Sequence, residues 1–223
     1  KQLFGAVAVP KYLDYAHDIH SSGQYLLDVI NDILDMSKIE AGRITLEIEK
    51  CNVPAVIEEA LRIVSGRAAE GGVILRKDLP ASLYAMADVR SLKQVLINVI
   101  ANGVKFTPHK GSLTISARRT KKTAEIVIAD TGIGIPADQI AKLGRPFEQV
   151  ENQLTKTRSG SGLGLAISNS LIRLNDGTLQ IASQEGKGTT VTITLPIAEK
   201  GTQEKRIIES DATIEPIITS VSA

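Results

Sequence analysis

The sequence has few of the features that mark several common classes of protein. It contains a single cysteine, Cys51, among 223 residues, so neither a disulfide framework nor a cysteine-rich metal site can form. The 26 basic and 25 acidic residues leave a net charge of +1, which gives no broad positive surface for nucleic acid or an anionic membrane. No apolar run reaches the roughly 18 residues typical of a membrane-spanning helix. We therefore expect a cytoplasmic domain, with any inner-membrane anchor outside this chain and Cys51 in the core or at a strand end.

Apolar residues predict a long amphipathic helix from Pro10 to Ala41. They recur at steps of three and four, which places them on one helix face: Tyr12, Ala16, Ile19, Leu26, Ile30 and Ile33, with Leu27 and Leu34 widening the stripe. Pro10 suits the first turn of a helix and Gly42 suits its end. A helix of this length at the edge of a domain usually packs on another helix, most simply the same helix of a second copy. We therefore expect a homodimer.

After Gly42 the pattern changes to short strands that alternate with helices. With 43% hydrophobic and 23% charged residues, the chain can bury a sizeable core. Alternation predicts strands at 44–49, 73–77, 112–118, 124–129, 178–183 and 189–195. Helical spacing predicts helices at 53–68, 89–104, 137–143 and 162–175. This order indicates an α+β fold, a two-layer α/β sandwich at 43–197, followed by a loosely ordered tail at 198–223.

Two asparagines stand out in the helix predicted at 89–104. Asn98 and Asn102 are four residues apart and share a helix face. The apolar residues around them face mostly into the core: Leu96, Val99, Ile100 and Val104. Two amides on an otherwise apolar helix are costly to bury without partners. They could form a polar stripe bonded to neighbouring backbone, or they could hold a hydrated Mg²⁺ and phosphate oxygens, with Lys105 adding positive charge.

A second segment, 130–136, follows a predicted strand directly. Its sequence Asp-Thr-Gly-Ile-Gly-Ile-Pro is first of all typical of a turn with unusual backbone angles. A functional interpretation has Asp130 accept a hydrogen bond from a purine amino group. Gly132 and Gly134 would then let a flat base approach the backbone. Both interpretations stay open on this segment alone.

The third segment, 160–165, has the sequence Gly-Ser-Gly-Leu-Gly-Leu and enters a predicted helix. Such a loop offers backbone N–H groups and the positive end of a helix dipole to phosphate. The spacing alone is weak evidence, because the preceding strand of a dinucleotide site is missing and no P-loop occurs. Residues 144–161, with Gly144, Pro146 and many polar side chains, predict a mobile lid or binding loop.

Taken in order, these segments resemble the sequence boxes of sensor histidine kinases. The resemblance involves 98–107 as the N box, 130–136 as the G1 box, Arg145–Gln149 as the F box, 160–165 as the G2 box and Gly186–Val191 as the last strand motif. It covers about 190 of the 223 residues, and several boxes in order are far more specific than one. Residues 30–42 are similar to the end of the second helix of the dimerisation and phosphotransfer domain. Residues 15–20 look most like alphaproteobacterial kinases of cell-division control.

The resemblance implies an ATP-binding domain of the Bergerat type, preceded at 1–42 by a helix from a four-helix dimerisation bundle. Asp130 would contact adenine, and Asn102 would bind Mg²⁺. Asn98 and Lys105 would be catalytic residues that support the phosphates, while Phe106 packs near the base. The remaining residues implied in nucleotide binding are Gly132, Gly134, Arg158, Gly160, Gly162, Leu163, Gly164 and Thr189, with Lys156 as a further lid cation.

The same resemblance implies a reaction. The γ-phosphate of ATP would pass to a histidine of the dimerisation domain and then to an aspartate of a response-regulator receiver domain. ATP-hydrolysing relatives of this fold carry a glutamate four residues before the metal-binding asparagine, where it activates water. Asn98 occupies that position, and since an amide has no useful basicity, transfer to a side chain is favoured over hydrolysis.

One element of the family pattern is expected to be missing. The phosphate-accepting box has a His-Glu/Asp-x-Arg/Asn-x-Pro pattern, which the residues after His17 and His20 do not follow. Those histidines suit a helix surface or interface, and His109 suits a loop. The chain should therefore bind ATP without phosphorylating itself. Two alternatives stay open: a pseudokinase or scaffold that docks a response regulator with little use of ATP, and a serine kinase or ATPase of the same fold.

Overall fold

The computed structural model describes residues 10–140, 143–144, 161–198 and 206–209, with residues 10 and 206–209 described by their backbone alone. The helices are α1 Pro10–Glu40, α2 Val53–Gly71, α3 Val89–Phe106, α4 Ala137–Ile140 and α5 Gly164–Leu174. The strands are β1 Thr45–Asn52, β2 Ile74–Asp78, β3 Tyr84–Ala87, β4 Ser112–Arg119, β5 Thr123–Asp130, β6 Thr178–Gln184, β7 Gly188–Pro196 and β8 Arg206–Glu209.

A mixed five-stranded sheet forms one layer of the domain, in the order β2-β4-β5-β7-β6. Strand β2 runs parallel to β4, and the other neighbours are antiparallel. Alternate residues such as Leu113 and Ile115 in β4 and Ile126 in β5 are buried, as the period-two pattern predicts. Helices α2, α3 and α5 form the second layer and share the hydrophobic core with these strands. The predicted two-layer α/β architecture is therefore confirmed.

A smaller sheet, in the order β3-β1-β8, lies beside the main one. Cys51 in β1 is buried, as its expected place in the core requires. Strand β3 is linked to the end of β7 by a bridge between Ala85 and Ile197. The sequence patterns predict neither β3 nor β8. Strand β8 pairs with Thr45–Ile48 of β1. It lies within 198–223, where the sequence predicts only a loosely ordered tail.

Buried hydrogen bonds hold the start of α3 in place. The Asp88 carboxylate accepts from the Ser91 backbone N–H at 2.7 Å and from the Glu47 backbone N–H at 2.9 Å. This arrangement is an N-cap, which satisfies a free donor of the first helical turn. The Asp88 N–H donates to the side chain of Asn175 at 2.7 Å, just after α5. Strand β1 and helices α3 and α5 are thus tied together at one point, which fixes the helix that carries Asn98 and Asn102.

Among the residues that the structure describes, helix α1 packs on the rest of the chain through its C-terminal turns. Met36 and Ile39 are buried, the Asp35 carboxylate accepts from the Gln94 side chain of α3 at 3.0 Å, and the Asp32 carboxylate accepts from the Ser161 hydroxyl at 2.6 Å. The predicted apolar stripe on the earlier turns is exposed, including Tyr12, Ile19, Leu26, Ile30 and Leu34.

The homodimer and the division of the chain into 1–42, 43–197 and 198–223 stay predictions. Within the described residues, no helix is both long and apolar enough to cross a membrane.

Candidate functional site

The two asparagines of α3 are joined to each other and to α5 by side-chain hydrogen bonds. Asn98 donates through Nδ2 to the Ser168 hydroxyl at 2.8 Å, and Asn102 donates through Nδ2 to Oδ1 of Asn98 at 3.3 Å. Both asparagines are half-buried. Their partners are side chains, not neighbouring backbone as in a simple polar stripe. Among the described residues, Oδ1 of Asn102 accepts no hydrogen bond, so this oxygen remains for an external ligand.

Asp130 ends strand β5 with one carboxylate oxygen held firmly by backbone. Its Oδ1 accepts from the N–H of Gly132 at 2.8 Å and from the N–H of Thr189 at 3.1 Å. Burial raises the pKa of Asp130 above its ordinary value, while these two hydrogen bonds act in the opposite direction. Within the described part of the chain, Oδ2 accepts no hydrogen bond. The second oxygen therefore offers a partly desolvated acceptor to a donor from outside.

The segment after Asp130 is a turn in which two glycines are required. A Cβ on Gly132 would lie 2.6 Å from Oδ1 of Asp130 and 2.7 Å from the Phe106 carbonyl oxygen, closer than any side chain allows. Gly134 has φ of +67°, and a Cβ there would overlap the Gln184 carbonyl oxygen. The Ile133 N–H donates to the Phe106 carbonyl at 3.2 Å and fastens the turn to the end of α3. The turn and functional interpretations are thus compatible, because the turn positions the Asp130 carboxylate.

Asp130 lies against α3 beside the residue that follows the metal-binding candidate Asn102. A Cβ added to Gly103 would be 3.8 Å from Cβ of Asp130, and Gly103 directly follows Asn102. Lys105 and Phe106, one turn further on, are both half-buried. The Lys105 ammonium lies 5.1 Å from the centroid of the Phe106 ring. One end of α3 therefore presents an amide oxygen, a cation and an aromatic ring beside an acidic acceptor.

The start of α5 forms the opposite wall of the site. The helix begins at Gly164, not at 162 as predicted, because Gly162 has φ of +74° and cannot continue a right-handed helix. Leu163 is buried, and its N–H donates to the Ser161 hydroxyl at 3.2 Å. No described side chain caps this helix, so its first N–H groups and positive dipole end can receive an anion.

Several residues that the sequence singles out are not part of the site that the structure describes. Lys156, Arg158, Gly160 and the segment 145–149 lie outside the described residues. His17 and His20 are exposed on α1. The ring of His109 lies so close to Gly72 that a Cβ there would overlap it, which agrees with the loop role expected for this histidine.

Sequence reasoning missed three residues that shape the site. They are Gly103, Gly188 and Ser168. A Cβ on Gly103 would overlap Leu113, and one on Gly188 would overlap the backbone of Asp130, so each glycine permits a close contact. Ser168 accepts from Asn98, and its position four residues after Gly164 was the available signal, since this spacing places both on one face of α5.

The donor set suits a cation that keeps much of its water. No group of three or more His, Cys, Asp or Glu side chains among the described residues could hold a metal ion. The structure instead offers the single amide oxygen of Asn102 near the anion-receptive start of α5. Mg²⁺ fits this arrangement, because it takes one or two protein oxygens and completes its shell with water and phosphate oxygens.

Comparisons with known proteins give consistent matches. Residues 87–199 match the family described as "Histidine kinase-, DNA gyrase B-, and HSP90-like ATPase". The Non-motile and phage-resistance protein of Caulobacter vibrioides is 47% identical over 200 residues, covering 88% of this chain and 24% of that protein. Histidine protein kinase DivJ of the same organism is 41% identical over 197 residues, covering 88% and 33% respectively. The solved structure of full-length ShkA in complex with AMPPNP has a TM-score of 0.73 and 26% identity, covering 87% of this chain and 41% of that one.

This chain therefore spans only about a quarter and a third of the length of those two relatives, 24% and 33% respectively.

Proposed function

Because the chain belongs to the family of histidine kinase-, DNA gyrase B- and HSP90-like ATPases, we propose that its site binds ATP with Mg²⁺ and serves a protein-histidine kinase. This membership confirms the family predicted from the sequence boxes. In the intact protein, the γ-phosphate passes to a histidine of the dimerisation domain and then to an aspartate of a response-regulator receiver domain. The observation that carries the proposal is the Asp130 carboxylate, one oxygen of which is fixed by two backbone donors while the other remains open.

Asp130 selects the base in this proposal. Adenine carries an amino group at the position where guanine carries a carbonyl oxygen. The open Oδ2 of Asp130 accepts a hydrogen bond from that amino group and repels a carbonyl oxygen. Gly132 lets the base approach, and Phe106 packs near it. Thr189 contributes its backbone N–H, which holds Oδ1 of Asp130 in place.

The phosphates extend toward α3 and the start of α5. Oδ1 of Asn102, which accepts no hydrogen bond from a described residue, would bind Mg²⁺, and the metal when bound would neutralise charge on the phosphate oxygens. Lys105 adds a second positive charge, and the first N–H groups of α5, after Gly162 and Leu163, receive phosphate oxygens. Arg158, Gly160 and Lys156 complete the lid in this proposal.

Asn98 decides between transfer and hydrolysis. Its amide donates to Ser168 and accepts from Asn102, so its bonds are used in orienting its neighbours. An amide cannot take a proton from water, whereas a carboxylate at this position could. The site therefore positions and charge-stabilises the γ-phosphate without activating water, and the acceptor is a side chain brought by another domain.

The proposal is tested by titrating ATP, with Mg²⁺ and with a chelator, into the unaltered chain and into Asp130→Asn. We expect micromolar binding that strengthens with Mg²⁺ and weakens strongly in the variant. Asp138→Asn makes the same change on an exposed residue of α4 and should bind as the unaltered chain does. Absence of binding to the unaltered chain would refute the kinase proposal and favour a scaffold that docks a regulator. An acid-stable phosphate on the intact protein would instead indicate a serine kinase, because phosphohistidine is acid-labile.

A further inference from the structure

Helix α5 contacts the Asn98 side chain at two residues that lie one turn apart. A Cβ on Gly164 would lie 2.6 Å from Oδ1 and 3.1 Å from Nδ2 of Asn98, so the amide sits directly against the first turn of α5. One turn later, the Ser168 hydroxyl accepts from Nδ2 of Asn98 at 2.8 Å. Ser168 is only 1% exposed. Its hydroxyl therefore has no access to bulk water and depends on partners within the fold.

The three side chains form a chain of hydrogen bonds with one direction. A metal ion binds an asparagine through its oxygen, because the amide nitrogen has no free lone pair. If Asn102 presents Oδ1 to Mg²⁺, its Nδ2 must face Asn98, and Asn98 must meet it with Oδ1. The Nδ2 of Asn98 then needs an acceptor on its other side. The Ser168 hydroxyl is that acceptor.

We propose that Ser168 is a positioning residue for the metal: its hydroxyl tethers the Asn98 amide, which in turn holds Nδ2 of Asn102 and leaves the oxygen of Asn102 toward Mg²⁺. The inference rests on the proposed function, since it assumes that the site holds Mg²⁺ with ATP. Without the hydroxyl, the Asn98 amide loses its partner on α5 and can turn about its side-chain bonds, so Nδ2 of Asn102 is no longer held. The Asn102 amide then samples orientations in which its nitrogen, not its oxygen, faces the metal.

A purely structural role for Ser168 predicts a different result. A buried hydroxyl that only satisfies Asn98 affects the free energy of unfolding and leaves the metal dependence of nucleotide binding unchanged. The decisive quantity is therefore the ratio of the ATP dissociation constant in chelator to that in saturating Mg²⁺. This ratio reports the contribution of the metal alone, because each variant serves as its own reference.

The experiment measures this ratio by calorimetric titration for the unaltered chain, Ser168→Ala and Ser170→Ala. Removal of a residue that orients a metal ligand typically weakens metal binding by about 10- to 100-fold, so Ser168→Ala should lower the ratio at least about tenfold. Its dissociation constant in chelator should stay within about twofold. Ser170→Ala removes the hydroxyl of another buried serine of the same helix and should keep the ratio. If Ser168→Ala fails to fold, Ser168→Cys keeps the volume with a much weaker acceptor and should lower the ratio too.

A double-mutant cycle isolates the orienting effect. In Asn98→Ala, the side chain that joins Ser168 to Asn102 is absent. Ser168→Ala should then change the ratio by less than about twofold in that background, because no amide remains to be tethered.

An unchanged ratio in Ser168→Ala, even with a lowered melting temperature, would overturn the inference and leave Ser168 a structural residue. An equal loss in the Asn98→Ala background would overturn it as well. Failure of the proposed function looks different, because the unaltered chain itself would then bind no ATP or bind it without regard to Mg²⁺.

Discussion

Substitution of Asp130 by asparagine should change which purine the site accepts. Oδ1 of Asp130 receives two backbone N–H groups, from Gly132 at 2.8 Å and from Thr189 at 3.1 Å. In Asp130→Asn these two donors hold the amide with its oxygen toward them, because the reverse orientation would set donors against donors. The amide nitrogen therefore replaces Oδ2 and presents two N–H donors where an acceptor stood. Adenine offers a donor at this point and guanine an acceptor.

The size of the effect follows from the bonds exchanged. A hydrogen bond to a charged group contributes about 1.5–3 kcal/mol, and about 1.4 kcal/mol corresponds to a tenfold change in the dissociation constant. ATP binding should therefore weaken by roughly 10- to 100-fold. GTP gains a donor for its carbonyl oxygen and loses the repulsion of a carboxylate. The dissociation constant for GTP divided by that for ATP should therefore fall by a factor larger than the one by which ATP binding weakens.

A competition assay with a fluorescent ATP analogue gives both constants on the same samples, with Asp138→Asn as the control for a neighbouring exposed carboxylate. Thermal unfolding without nucleotide checks that the variant is folded. A variant that loses ATP and GTP equally would show that Asp130 acts only by shaping the pocket. One that keeps the original preference would remove Asp130 from base recognition altogether.

Three further predictions concern charge and burial. Asp32→Asn should tighten binding of Mg²⁺-ATP about twofold by calorimetry, because the Asp32 carboxylate bonds Ser161 just before the start of α5 and unit charges about 8 Å apart interact by about 0.5 kcal/mol in water. Asp28→Asn one turn away should leave the dissociation constant unchanged, and an unchanged constant in Asp32→Asn would contradict this prediction. Burial raises the pKa of Cys51 from 9.0 to about 11, so the fraction present as thiolate is about 100-fold lower. Thiol reagents should therefore label Cys51 quickly only after the chain unfolds. Rapid labelling of the native chain would be inconsistent with this prediction. Burial raises the pKa of Asp130, so the folded state binds this proton more readily than the unfolded state. In urea titrations, the nucleotide-free chain should gain unfolding free energy relative to Asp130→Asn as the pH falls through that raised pKa toward the ordinary value of an aspartate, and the opposite slope would contradict the buried carboxylate.

The parts of the fold predicted from the sequence are those with a regular local pattern. Strands β4 and β5 alternate half-buried and buried residues over their first six residues, and α1 shows a helical stripe over 31 residues. Strand β3 was missed because four residues, Tyr84–Ala87, are too few to show a period. Strand β8 forms by pairing with Thr45–Ile48, more than 150 residues earlier, and no local pattern contains that information.

The candidate site shows the same difference between residues with a local sequence pattern and residues that depend on long-range contacts. Asp130, Gly132 and Gly134 were predictable because a strand that runs into this turn carries its chemistry in consecutive residues. Ser168 carries only the weak local signal of its spacing from Gly164, and it stands out only once Asn98, 70 residues earlier, is known to face it. The contact between Asp32 and Ser161 spans 129 residues and depends on how α1 packs, which no spacing along the chain specifies.

The central claim, that Asp130 binds adenine and Asn102 binds the metal, is tested most directly by a crystal structure of the chain with Mg²⁺ and a non-transferable ATP analogue. We expect the adenine amino nitrogen to lie about 2.9 Å from Oδ2 of Asp130 and Mg²⁺ to lie about 2.1 Å from Oδ1 of Asn102. A nucleotide bound at another surface, or a metal that contacts neither asparagine of α3, would contradict it.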